Sequence, residues 1–90
     1  MKTQEFINKV FELDIFPYYV YFVIDKEDLT LNEPTACFDC DSGIYLEISM
    51  KQRNNSSVYT DKFDKDVPKE KIQELCNLVK QYARTPIKAR

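Results

Sequence analysis

Histidine is missing from this chain of 90 residues, and glycine occurs once. The first absence removes the commonest general base and the commonest neutral metal ligand. A Ser or Cys nucleophile would need a lysine or a carboxylate pair beside it, and no such pairing stands out. With Gly43 alone, a glycine-rich phosphate loop is excluded and few turns can adopt positive φ. Cysteine is limited to Cys37, Cys40 and Cys76, short of the four ligands that structural zinc requires. Long apolar runs are missing too: the densest, Ile15 to Ile24, contains Pro17 and three tyrosines and is too short to cross a bilayer. The opening MKTQEFINKVFELD mixes charges into its apolar residues and has no signal-peptide core. The expected location is therefore the cytoplasm, with reduced thiols. Repeats, low-complexity runs and linkers are likewise lacking, so residues 1–90 are read as a single domain.

What is present is a core. Apolar residues make up 43% of the chain, with six Tyr and six Phe, too much for a disordered chain. The longest regular pattern is Pro68 to Arg84, where Ile72, Leu75, Cys76, Val79, Tyr82 and Ala83 share one face of a helix. Glu70 and Glu74 lie early in it and Lys80 and Arg84 late, as the helix dipole prefers. Asp66 or Val67 is its expected cap, and Pro86 ends it. A shorter helix is expected from an N-cap at Thr3 through Phe6, Ile7, Val10 and Phe11 to Leu13 or Asp14.

Between the helices the period falls to two. Tyr18 to Ile24 is aromatic and β-branched and reads as a strand, with Tyr18, Val20, Phe22 and Ile24 inward. Asp25 to Asp28 is a turn. Thr35–Cys40 and Ile44–Met50 flank Asp41-Ser42-Gly43, a three-residue hairpin loop with glycine at the left-handed position. Ile44, Leu46, Ile48 and Met50 alternate with Tyr45, Glu47, Ser49 and Lys51. Val58-Tyr59-Thr60 is a further short strand, Phe63 plugs the core from a loop, and the last residues are a frayed tail. The order α-β-β-β-(β)-α implies an α+β two-layer sandwich. An antiparallel meander of three to four strands carries the N-terminal and the longer C-terminal helix on one face.

Chemical motifs are few. Cys37-Phe38-Asp39-Cys40 has CxxC spacing, but redox pairs sit at a helix N-terminus, and in a strand these two residues point to opposite faces. They are read as ordinary cysteines, with a dimer-shared zinc or a redox role as the alternatives. Neither a cofactor nor a metal is expected, and the chain is not read as an enzyme.

The charge is unevenly spread. Asp25, Glu27, Asp28, Glu33, Asp39, Asp41 and Glu47 stand against Lys26 alone, whereas beyond Glu74 every charge is positive. If the helices cover one sheet face, the other presents tyrosines beside acids. Tyr19, Tyr21, Asp25, Glu27, Asp28, Asp39, Tyr45 and Glu47 then form a candidate surface for a protein with a basic surface. The alternative is that these tyrosines only complete a half-wet sheet face. A nucleic-acid reading would use Lys80, Arg84, Lys88 and Arg90, although the net charge of −2 speaks against it. A homodimer is left open.

The closing Tyr82-Ala83-Arg84-Thr85-Pro86-Ile87-Lys88-Ala89-Arg90 and the opening Met1 to Val10, MKTQEFINKV, resemble small proteins encoded by phages and prophages of Gram-positive bacteria. The resemblance implies an accessory protein in the cytoplasm of a bacterial host. Its expected partner is then a host protein, such as a defence nuclease of the CRISPR type that an acidic surface would inhibit. The nucleic-acid alternative becomes a phage regulatory protein.

Overall fold

A computed structural model describes residues 1–16, 20–24, 34–40 and 43–90. Their order is helix α1 (Thr3–Glu12), strands β1 (Tyr21–Ile24), β2 (Thr35–Cys40), β3 (Gly43–Ser49) and β4 (Ser56–Val58), then helix α2 (Lys69–Arg84). Single 3₁₀ turns follow β4 at Thr60–Lys62 and α2 at Ile87–Ala89. The strands form one antiparallel sheet in the order β1-β2-β3-β4. Both helices lie on one face of it, the α+β sandwich that the periodicity implies.

The core is where three stripes meet. Phe6 and Val10 of α1, Leu75, Val79, Tyr82 and Ala83 of α2, and Phe38, Leu46 and Ile48 of the sheet are all buried in one cluster. Phe22 pairs with Phe38 across the β1–β2 ladder, and their rings meet edge to face at 5.3 Å. Phe6 lies flat on Tyr82 with centroids 4.4 Å apart. Neither helix could hold such a stripe in water alone; each is stable because the other two stripes cover it.

Several local expectations are corrected. Thr3 is the first helical residue rather than the cap, and α1 has no side-chain cap bond. Asp14, at φ 54°, supplies the left-handed turn after the helix, which Asp tolerates better than most residues. At α2 the flanking residue is Pro68, again with no side-chain cap bond. The fourth strand ends at Val58, and Tyr59 leads into the 3₁₀ turn. Gly43, at φ 135°, opens β3 and pairs with Cys40. The expected turn at Asp25–Asp28 and the loop residues Asp41 and Ser42 lie outside the described residues, as do Tyr18 and Tyr19 at the start of the first predicted strand.

The largest correction concerns alternation in β3. Phe38 pairs with Leu46 and Asp39 with Ile44, so Tyr45 is an extra residue in a β-bulge. Its ring turns to the helix side together with Leu46 and is 7% exposed, packed against Phe16 and Phe63. Phe63 plugs the core from its loop as expected.

The C-terminus is not frayed. The last four carbonyls of a helix lack intrahelical donors, and here each of them has one. Thr85 Oγ1 donates to Gln81 O at 3.0 Å, and the Thr85 amide to Tyr82 O at 3.0 Å. Ala83 O accepts from the Asn54 amide (2.9 Å) and from Arg90 Nη2 (2.8 Å). Arg53 donates to Arg84 O through both Nε (2.9 Å) and Nη2 (2.6 Å). Arg90 also donates from Nη1 to Ser49 O and from Nε to Thr85 O, and its guanidinium lies 4.9 Å from the Tyr82 ring centroid. The two terminal motifs thus meet in space: Thr3 Oγ1 is 2.6 Å from Tyr82 Oη, and the Met1 amino group 3.0 Å from Thr85 Oγ1.

Candidate functional site

The sheet face expected to be free is not a solvated surface. Asp39 and Glu47 are 4% and 1% exposed, and Thr35, Cys37 and Ser49 beside them are fully buried. Tyr59 donates from its hydroxyl to Glu47 Oε1 at 3.0 Å, which binds the acid to its own fold. Tyr45 has left this face through the bulge. Of the eight residues expected there, Tyr21 alone is described and accessible, half exposed on β1 and paired with Asp39. Tyr19, Asp25, Glu27 and Asp28 lie outside the described residues. Cys37 and Cys40 do take opposite faces: Cys40 joins the helix-side core and Cys37 does not. Among the described residues no group of three or more His, Cys, Asp or Glu side chains could hold a metal ion, and no helix is long and apolar enough to cross a membrane.

Among the described residues a concave surface lies at each end of α2, and a smaller one beside Gln73 and Cys76 lies between them. A helix of 16 residues separates its ends by about 24 Å. The first is a pocket of about 320 Å³ beside the N-terminus of α2. Phe16, Tyr45 and Phe63 form its apolar part, with ring centroids 5.0, 5.6 and 4.9 Å apart around the triangle. Asp14, Asp64 and Asp66 line it as exposed carboxylates, with Lys62 and Lys71 among them. Lys71 donates to Leu13 O at 2.8 Å, so its ammonium is partly committed. Burial raises the Tyr45 pKa, and the adjacent Cys40 thiol and the Asp64 carboxylate raise it further. The phenol therefore stays neutral and presents ring and hydroxyl near a carboxylate.

The second surface is a groove of about 590 Å³ lined by Arg53, Asn77, Lys80, Gln81, Arg84 and Thr85. It continues past Asn54 and Ser56. Among the described residues no carboxylate lines it. Of the four cations expected to act together, Lys80 and Arg84 share this groove, Lys88 is exposed and does not line it, and Arg90 is turned inward. Burial holds the Arg90 guanidinium below its ordinary pKa; the Tyr82 phenol opposes that shift and the charge of Arg53 adds to it.

Sequence reasoning passed over Arg53, Asp14, Asp64 and Asp66. One signal was available for the acids: Phe63, a lone aromatic between Asp61 and Asp66, brings its charged neighbours with it when it docks. Arg53 sits in a polar turn that nothing local ties to residue 84. No protein-family model matches the chain, and comparison with curated proteins and with solved structures likewise finds no match.

Proposed function

We propose that this chain is a non-enzymatic binding protein whose partner is a protein with a basic surface, engaged through the pocket at the start of α2. The observation that carries the reading is the joining of three mutually packed aromatic rings with the carboxylates of Asp14, Asp64 and Asp66. Ring faces attract cations, and carboxylates fix them by charge-assisted hydrogen bonds. A volume of about 320 Å³ suits one long cationic side chain rather than a large ligand. Tyrosine-and-acid chemistry, expected across the sheet, is thereby kept and moved to a different place. Together with the terminal likeness to small phage proteins, the reading makes the partner a host protein of the bacterial cytoplasm, with inhibition of a nucleic-acid-binding defence protein as the biological outcome.

The test is affinity capture from a bacterial host lysate, with the wild-type chain and a D14N/D64N/D66N variant as baits. The wild type is expected to retain a basic protein that elutes as salt rises, because exposed charge pairs are screened. The variant is expected to lose it while keeping its circular dichroism spectrum. Equal capture by both baits, or capture indifferent to salt, sinks the reading.

A further inference from the structure

We propose that the groove at the other end of α2 is a phosphate-binding site built from Arg53, Lys80 and Arg84. It uses residues and a face separate from the aromatic pocket, and it stands whether or not that pocket binds a protein.

Charge carries the first part of the argument. The chain as a whole is net −2, yet among the described residues three cations and no carboxylate line this groove. Arg90 lies near enough to Arg53 for the two charges to oppose each other. Like charges gathered without a counter-ion raise the local potential, and a bound anion relieves it.

Cations near a helix C-terminus often serve only the helix dipole. Here that duty is already discharged, because Thr85, Asn54, Arg53 and Arg90 supply donors to all four terminal carbonyls. The side-chain heads of Lys80 and Arg84 take no part in that capping. Among the described residues they have no hydrogen-bonding or ionic partner, and both are exposed. They are charges left over after the helix end is satisfied.

Arg53 supplies preorganisation. Its two bonds to Arg84 O hold the guanidinium at the groove wall, so less rotamer entropy remains to be lost when a ligand binds. Its remaining N–H groups, the Lys80 ammonium and the Arg84 fork are the donor types that recognise phosphate oxygens. Asn77 and Gln81 add neutral donors on the same helix face. Among the described residues no aromatic ring lines the groove to stack on bases, and recognition falls on the phosphate itself.

Phosphate can come from a nucleic-acid backbone or from a small phosphorylated molecule, and one experiment separates them. The intact ¹⁵N-labelled chain is titrated at low salt with pyrophosphate, with a short DNA duplex and with a DNA single strand, while amide shifts are followed. Shifts confined to Arg53, Asn77, Lys80, Gln81 and Arg84 are expected with at least one probe. Binding of DNA without pyrophosphate identifies the backbone as the source, and the affinity for duplex should fall with salt at a log–log slope of about −2.7 for three neutralised phosphates. Binding of pyrophosphate alone identifies a small ligand. Arg53 is left intact because its loss uncaps α2; the control is K80E/R84E, which alters only exposed heads and is expected to lower affinity at least about tenfold. The proposal is overturned by wild-type affinity in that variant, by shifts elsewhere on the surface, or by the absence of shifts with all three probes.

Discussion

Thr3 Oγ1 and Tyr82 Oη lie 2.6 Å apart, a hydrogen bond that ties the first turn of α1 to the last turn of α2. The same Tyr82 stacks on Phe6 and lies under the Arg90 guanidinium. The opening Met1 to Val10 and the closing Tyr82 to Arg90 therefore converge on one ring. These residues serve the closure of the fold.

Separating hydroxyl from ring tests that convergence. Tyr82→Phe keeps the stack on Phe6 and loses the bond to Thr3, so it is expected to cost about 1 kcal/mol. Tyr82→Ala removes a buried ring and is expected to cost about 3–5 kcal/mol. In a Thr3→Val/Tyr82→Phe cycle the two losses should not add fully, because the bond between Thr3 and Tyr82 is common to both. Full additivity in urea unfolding would remove the bond from the account.

Arg90→Ala should destabilise the fold by about 2–3 kcal/mol, since it strips charge-assisted donors from Ser49 O, Thr85 O and Ala83 O. Arg90→Lys should recover only part of this, because an ammonium cannot span three carbonyls as a planar fork does. The readout is the urea midpoint at unchanged slope. An Arg90→Ala midpoint equal to wild type would return the tail to the frayed state that its sequence suggests.

Alkaline pH should act through Tyr45. Its folded pKa is raised above the ordinary value of 10.0, chiefly by burial. Below pH about 10 the phenol is neutral in both states and its contribution is fully present. As pH rises towards the folded value, the unfolded chain releases the proton first, so stability falls. Tyr45→Phe should flatten that decline. Subtracting the tyrosinate absorbance titration of Tyr45→Phe from that of the wild type should leave an ionisation above 10.0; one at or below 10.0 would contradict its burial.

Gly43→Ala is expected to cost about 1–3 kcal/mol through backbone strain at φ 135°. The new methyl group would also meet Lys62 Nζ at 2.9 Å, but that is the end of a flexible side chain and can move. Lys62→Ala should therefore fail to rescue Gly43→Ala. Full rescue in thermal unfolding would assign the cost to the contact instead.

The sequence by itself determined the element order, the limits of β2 at Thr35 and Cys40, and the buried stripe of α2. It also determined the opposed directions of Cys37 and Cys40. All of these rest on local periods, 3.6 residues in a helix and two in a strand, and on breakers such as Pro86. Only the tertiary structure decided where the candidate sites lie. A bulge in β3 exists only in relation to its pairing with β2, and one extra residue sends Tyr45 to the other side of the sheet. The burial of Asp39 and Glu47 depends on what packs beside them, which alternation cannot report. Arg53 reaches Arg84 O across 31 positions of chain, and Phe63 brings Asp64 to Tyr45 across a loop. Charge placement is a property of folded distances, and no window of neighbouring residues contains those distances.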